Sequence, residues 1–277
     1  MGEKEETIIK KICESYMILT EMHRFSNQLK ESLESSKKAF IHSERLSEAS
    51  QENLKIKGLT LKKLSNSFFN FISTFNSFTE NEISLPHLLN ALNFSIKSNS
   101  HQLTYFILFE IGSVYKKLRK TDEALSFYLE ALKLEEKIEN DDDEKSKLRN
   151  EIGEIYFVNG DLEKAKSNFA QANQLTEKTK LSLSLHLTTF NNLALLFITQ
   201  HKYEAAKRNL KRVVDIGTAC QDRINLAIAH KRLSILYEKE DDYSKSKLHH
   251  VAAHSIQTDY GTQIFDKDGN KVETEYS

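Results

Sequence analysis

The feature that most constrains this chain is a spacing that returns four times. Ile111-Gly112 is followed by Tyr115, Ala124, Tyr128 and Ala131, and 41 residues on Ile152-Gly153 is followed by Tyr156, Ala165, Phe169 and Ala172. After another 41 residues come Leu193-Ala194, Phe197, Ala206, Leu210 and Val213, and 40 further on Leu233-Ser234, Tyr237, Ser246, His250 and Ala253. A self-similar period of about 20–50 residues marks a solenoid, whose units bury their apolar faces only by stacking on one another. Such a chain offers extended surface rather than one closed core, so the repeat points to binding. It does not name what is bound.

Within each copy the first group falls at i, i+1, i+4 and the second at i, i+4, i+7, each one face of a helix. Polar turns separate the two: Leu118–Thr121, Asn159–Asp161, Gln200–Lys202 and Glu240–Asp242. Thr121 and Asp161 suit helix N-caps, and Gly160 suits the left-handed position just past a helix end. The small residues let two antiparallel helices approach, with the aromatic filling the space beside them. Phe71-Ile72, Phe75, Ser84, Leu88 and Ala91 fit the same skeleton 40 residues earlier, as a fifth and diverged copy. There Pro86 is expected in the first turn of the second helix, where its missing N–H is harmless. The stripe Leu64, Phe68, Phe71, Phe75 and Phe78 reads as core rather than as a ligand box.

On these residues the chain resembles the tetratricopeptide repeat family over roughly Leu61 to Ile256. The resemblance implies an all-α fold, a right-handed superhelical α-solenoid of helix-turn-helix repeats whose first helices line a concave groove. The chain departs from the family in length, since that repeat is usually about 34 residues, and in lacking the proline that often closes it. Longer repeats of this kind are similar to those of bacterial peptide-pheromone receptors, response-regulator aspartate phosphatases, kinesin light chains and the sensor regions of some bacterial signalling proteins. The expected organisation is residues 1–60 as N-terminal helices, 61–257 as five helix pairs and 258–277 as a polar tail.

In the N-terminal part, Ile8, Ile12, Tyr16, Leu19, Met22, Phe25, Leu29 and Leu33 recur at threes and fours, which predicts one helix over 4–34 with Lys, Glu and Ser on the opposite face. A second helix is expected over 37–57. These helices are read as an end cap, a degenerate repeat or a separate effector module; solenoids require polar-faced ends, which favours the cap. The tail segment Gln263–Val272 carries Asp268-Gly269 between short β-prone runs, a hairpin signal. Its acids lack the alternate spacing of a calcium loop.

With eight Gly and one Pro in 277 residues, the composition argues against an all-β fold. A formal net charge of −1 argues against a nucleic-acid-binding body. No apolar run reaches the length of a membrane span, and the first residues are not a signal peptide, so no membrane role and a cytoplasmic location are expected. Cys13 and Cys220 match no metal or redox spacing and read as buried structural thiols.

No phosphate loop, zinc spacing, nucleophile elbow or dinucleotide fingerprint is present, so no catalytic residue, metal or cofactor is assigned. The acidic run 141–144 reads as a solvated loop at a helix start. His250 and His254 stand one turn apart, but His250 occupies the bulky skeleton position, so packing is the stronger reading. The resemblance places the candidate site on the first helices. Two residues before each Ile-Gly-type pair fall Phe109, Asn150, Asn191 and Lys231, flanked by Lys147, Glu154 and Thr188. A carboxamide donates and accepts at once, so stacked asparagines can hold an extended peptide backbone whatever its sequence. The resembling pheromone receptors use groove asparagines in this way. Lys207, Arg208, Lys211 and Arg212 form a secondary basic patch on a second helix, suited to an acidic partner.

The leading expectation is a non-catalytic adaptor or sensor that holds an extended segment of a protein or peptide partner, with a homodimer left open. A second reading is a regulator of a response regulator like the aspartate phosphatases, for which Gln28 and Gln51 are the N-terminal glutamines. A third is the sensor part of a larger signalling protein.

Overall fold

The structure, a computed structural model, describes the backbone of residues 3–73, 80–138, 142–179 and 182–258. The chain divides into two compact units, Met1–Asp141 and Asp142–Ser277. Among the described residues every α-helix and the single 3-10 turn, Glu135–Lys137, belong to an all-α helical repeat. The first unit holds α1 (Glu3–Phe25), α2 (Leu29–Glu44), α3 (Gln51–Ser73), α4 (Glu80–Lys97), α5 (His101–Lys117) and α6 (Thr121–Leu132). The second holds α7 (Asp142–Val158), α8 (Leu162–Thr179), α9 (Leu183–Thr199), α10 (Tyr203–Cys220), α11 (Arg223–Lys239) and α12 (Tyr243–Thr258). Each odd-numbered helix packs on the even-numbered helix that follows it.

The skeleton positions are where the helices of a pair meet. Ile111, Ala124, Tyr128, Ala131, Ile152, Ala165, Phe169, Ala172, Ala194, Ala206, Leu210 and Val213 are all buried. The small residue is required by distance: a Cβ on Gly112 would stand 2.5 Å from the Tyr128 ring, and one on Gly153 2.5 Å from the Phe169 ring. The turns repeat as strictly as the faces. Arg119, Gly160, His201 and Asp241 all take left-handed φ values, of 59°, 82°, 57° and 59°. The next residue's N–H then donates back to the carbonyl of the skeleton aromatic: Lys120 to Tyr115 at 3.0 Å, Asp161 to Tyr156 at 2.9 Å, Lys202 to Phe197 at 2.8 Å and Asp242 to Tyr237 at 2.9 Å. This closure satisfies a carbonyl that the helix end leaves open. The Asp161 carboxylate caps α8 by accepting from the Lys164 N–H at 3.1 Å. Thr121 does not cap α6; the helix starts on it, and Lys120 stands at the cap position with no side-chain bond.

The last copy departs from the skeleton. His250 is exposed, and the neighbouring His249 turns inward instead. Its ring stacks on Tyr237 at 5.4 Å, and its Nδ1 lies 2.8 Å from Nδ1 of His230. One residue along a helix is a rotation of about 100°, so a shift of one exchanges the two faces.

The N-terminal expectations need correction. The single helix over 4–34 is broken at Ser26–Gln28, where Asn27 takes a left-handed φ of 56° and the Gln28 N–H donates to His23 O at 2.8 Å. Asn reaches this conformation more readily than most residues, which lets the chain reverse without glycine. The helix expected over 37–57 is also split. It stops at Glu44, and α3 restarts at Gln51 with the Ser50 hydroxyl accepting from the Asn53 N–H at 3.1 Å. The expected boundary after residue 60 therefore falls inside α3, and α1–α2 form a helix pair of their own. The face of α1 that packs inward is Ile9, Cys13, Met17 and Thr20, while Ile8, Ile18, Leu19, Met22 and Phe25 are exposed.

Leu88 and Ala91 of the diverged copy are buried as the skeleton requires. Pro86 lies inside α4, which begins at Glu80, rather than in its first turn. The side chains of Phe68, Phe71, Ile72 and Ser84, and all of Phe75, Phe78, Asp141 and residues 259–277, lie outside the described residues. Cys13 is buried with burial pushing its thiol up to about 11, whereas Cys220, expected to be buried, is exposed.

Candidate functional site

In the second unit the first helices α7, α9 and α11 stand side by side, and polar side chains stitch them together. Asn150 on α7 donates from Nδ2 to Thr189 Oγ1 on α9 at 2.8 Å and to Ser146 O at 3.2 Å. Asn191 on α9 donates to Asn225 Oδ1 on α11 at 2.9 Å and to Asn225 O at 3.2 Å. Asn225 in turn donates to Asp222 Oδ2 at 3.0 Å and to Ser184 O at 3.3 Å. Burial opposes ionisation of Asp222, yet hydrogen bonds from Ser184 and Asn225 hold its carboxyl below the usual range. Asn150 and Asn191 are 3% and 2% exposed. Expected to hold a peptide backbone, these two amides lie in the seams between first helices and donate to side chains of the neighbouring helices.

Beside this seam lies a cavity of about 520 Å³ lined by residues of α7, α8, α9 and α11. Its walls are apolar, with Phe157, Val158, Leu195, Ile224 and Ile228. Val158 and Ile224 are 73% and 76% exposed, so large aliphatic side chains face water at its rim. Its polar groups are Glu154, Thr188, Asn191, Asn192, Asn225 and Arg232. Asn192 donates to Glu154 Oε1 at 3.0 Å, and the Arg232 guanidinium donates to the Asn191 carbonyl oxygen. Burial pulls the Arg232 guanidinium down to about 10, with the Glu154 carboxylate acting against that fall. Asn191 Oδ1 is buried and accepts no hydrogen bond.

Of the residues singled out from the sequence, Glu154, Thr188 and Asn191 line this cavity. Lys147 does not; its ammonium pairs with Glu144. Lys231 is exposed and outside the lining. Phe109 belongs to the first unit, where its ring lies 5.6 Å from that of Tyr128. Of the lining residues that were missed, Asn192 and Arg232 fall one position before the Ile-Gly-type pair rather than two. That row was readable in the repeat, and one residue along a helix is a rotation of about 100°.

The secondary basic patch is partly spent. Lys207, only 13% exposed, pairs with Glu204 at 2.6 Å and Glu240 at 2.8 Å and lies over the Tyr237 ring. The Arg212 guanidinium sits 5.4 Å from the centre of the Phe190 ring. Arg208 and Lys211 are exposed. Gln28 and Gln51 lie beyond opposite ends of α2, a helix of 16 residues and so about 24 Å long, which separates the two glutamines. Among the described residues no group of three or more His, Cys, Asp or Glu could hold a metal ion. No helix among them is long and apolar enough to cross a membrane.

A family model, described as a tetratricopeptide repeat, matches residues 107–138. The chain carries a tetratricopeptide repeat. Its α5–α6 pair is the matched copy, and the α7–α8, α9–α10 and α11–α12 pairs follow the same skeleton. No curated protein matches the sequence. Among solved structures, BtubC (BKLC) from P. vanneervenii is similar at a TM-score of 0.69 and 15% identity, over 90% of this chain and 99% of that one. Aspartyl phosphate phosphatase F from Bacillus subtilis is similar at a TM-score of 0.64 and 14% identity, over 94% of this chain and 76% of that one. A signal transduction ATPase with numerous domains and a tetratricopeptide repeat sensor, from Pyrococcus horikoshii, is similar at a TM-score of 0.70 and 14% identity, over 90% of this chain and 37% of that one. These likenesses establish a tetratricopeptide-like helical-repeat fold. Such a fold supports a protein-interaction role as adaptor or sensor, and repeats of this kind are mostly non-catalytic scaffolds.

Proposed function

We propose that the second unit is a non-catalytic binding module that holds a segment of a protein partner in the cavity between α7, α9 and α11. The observation that carries this is the pairing of exposed aliphatics with a half-buried cation. Val158, Ile224 and Ile228 leave apolar surface in water around a cavity whose polar floor includes Arg232 and Glu154. Peptide pockets combine apolar anchoring with a few convergent polar groups in this manner. The chemistry selects a segment with one large aliphatic or aromatic anchor. Arg232 suits a carboxylate or backbone carbonyl of the segment beside that anchor, since guanidinium donors in a desolvated site form strong hydrogen bonds. Arg232 takes this role rather than the nearby lysines, because Lys147 pairs with Glu144 and Lys231 stands outside the lining.

A displayed library of random linear peptides, selected on the full chain, tests the reading. Selected peptides are expected to share an apolar anchor next to an acidic or C-terminal group. Their affinity, measured by calorimetry, should fall at least tenfold in Ile224→Asp, a change at an exposed position that leaves the seam intact. Peptides that bind that variant and Ile228→Asp as well as they bind the unaltered chain would place recognition elsewhere.

A further inference from the structure

The apolar pattern of α1 is double. Ile9, Cys13, Met17 and Thr20 are buried against the rest of the first unit. A second stripe, Ile8, Ile12, Ser15, Leu19 and Met22, runs at i, i+4, i+7, i+11 and i+14 along another face, with Ile18 and Phe25 on its edge. Of these, Ile8, Ile18, Leu19, Met22 and Phe25 are 58%, 62%, 38%, 57% and 80% exposed. Five large apolar side chains on one helix face exceed the scattered exposure normal for a protein surface. Alternating steps of four and three are the seam spacing of two helices packed along their length.

We propose that this face of α1 is the two-fold interface of a homodimer, in which two α1 helices pack antiparallel about Ser15. The stripe complements itself in that orientation. Reversing it about Ser15 sets Ile8 against the other copy's Met22 and Ile12 against its Leu19, as an isologous contact requires. Ser15, the one small residue of the stripe, falls on the two-fold axis, where the backbones come closest. Its hydroxyl already donates to Lys11 O at 2.8 Å, so it brings no unsatisfied group into the contact. In this orientation the edge that carries Lys4 and Lys11 meets the Ile18 and Phe25 end of the same edge on the other copy, so the lysine stems cover apolar side chains and no lysine faces its own copy. The exposed side chains amount to at most roughly 600 Å² per copy and about 1,200 Å² for two, at or below the lower edge of the range for stable association. The contact is therefore a modest, concentration-dependent one, and it stands independently of the cavity in the second unit.

Sedimentation velocity of the full chain over a wide concentration range is expected to show a monomer–dimer equilibrium. Ile18→Glu/Met22→Glu, at exposed positions, should retain helical content and melting midpoint yet raise the dissociation constant about 100-fold or more, since each lost apolar contact of this size is worth about tenfold or more. In a Cys220→Ser background, Ser15→Cys should cross-link to itself on mild oxidation. A mixture of Ile8→Cys and Met22→Cys chains should cross-link to each other while neither cross-links to itself. A chain that stays monomeric throughout overturns the proposal, as does a dimer that survives Ile18→Glu/Met22→Glu or fails to cross-link at Ser15→Cys. A monomer that instead sediments with phosphatidylcholine–phosphatidylglycerol vesicles would assign the stripe to a membrane surface and overturn it equally.

Discussion

Replacing Gly153 with alanine separates the packed repeat from every looser arrangement, because the two give opposite signs. In a helix exposed to solvent, Gly→Ala stabilises by about 0.5–1 kcal/mol, through lost backbone freedom in the unfolded chain. Here the new Cβ would stand 2.5 Å from Phe169 Cε1, 2.7 Å from Cδ1 and 3.1 Å from Cζ. Ordinary carbon–carbon contact begins near 3.5 Å, so three ring atoms must retreat. The ring cannot retreat cheaply: Phe169 is 2% exposed and shares its core with Ala165 and Leu196, both fully buried. Overpacking of this kind costs about 1–3 kcal/mol. Set against the propensity gain, the net is a destabilisation of roughly 0.5–2 kcal/mol, a fall of a few degrees for a chain of this size. Thermal and urea denaturation of Gly153→Ala, Phe169→Leu and the double variant measure it. The double variant should be less destabilised than the sum of the two singles, since the smaller side chain leaves room for the new methyl. A melting midpoint raised by Gly153→Ala, or strict additivity in the cycle, would refute the close approach of α7 and α8.

The seam predicts that Asn150→Ala costs about 1–3 kcal/mol, because Thr189 and Asn192 lose a buried partner; a urea midpoint unmoved by it would return this amide to the role of an open groove residue. Burial holds His230 and His249 below the ordinary histidine range, and in His249 the neighbouring His230 and Lys211 add to the fall. A histidine depressed in the fold binds more protons when unfolded, so its contribution is complete above about pH 6.5 and is lost as pH falls below that value. The melting midpoint should therefore drop between pH 7.5 and 5.5, and the drop should shrink in His249→Gln, in which the facing pair cannot both become charged; an equal drop in both chains refutes the assignment. A thiol reagent should modify Cys220 in the native chain and reach Cys13 only on unfolding, as the exposed and buried positions of these cysteines require; rapid modification of both would mean that α1 does not pack on α2 as described.

What the sequence made legible is what distance enforces. A glycine against an aromatic ring, an alanine against the facing helix and a polar turn between them recur because two helices cannot meet otherwise. The copies from Ile111 to Ala253 follow from spacing alone. The site was less legible for a reason of the same kind. A repeat fixes which positions are equivalent, but it does not fix how each row is used: Asn150 lies outside the cavity and Asn191 reaches it only from the seam, while Asn192 and Arg232, a single step along, line it. The N-terminal helices misled through their own regularity. The stripe from Ile8 to Phe25 recurs at threes and fours, yet its Ile8, Leu19, Met22 and Phe25 are exposed, while the inward face is the mixed set Ile9, Cys13, Met17 and Thr20. Hydrophobic period reveals a helix face that seeks cover, and whether that cover comes from the same chain is a separate matter. Leu29 and Leu33 continued the period across the bend at Asn27, so nothing in the apolar spacing marked the break.

The turns that close each first helix carry a consequence for how this architecture can change. Residues as unlike as arginine, glycine, histidine and aspartate occupy one left-handed place at Arg119, Gly160, His201 and Asp241. What defines the bend is the amide of the following residue reaching back to a carbonyl, and both groups belong to the main chain. The three non-glycine occupants each bear a strain on the order of 1 kcal/mol, which the array tolerates. Substitution among unbranched residues at these corners thus adds little beyond the strain already borne. Successive generations of the chain can recolour the charge of every corner, and with it the rim seen by a partner, while the angle between paired helices stays where the backbone set it.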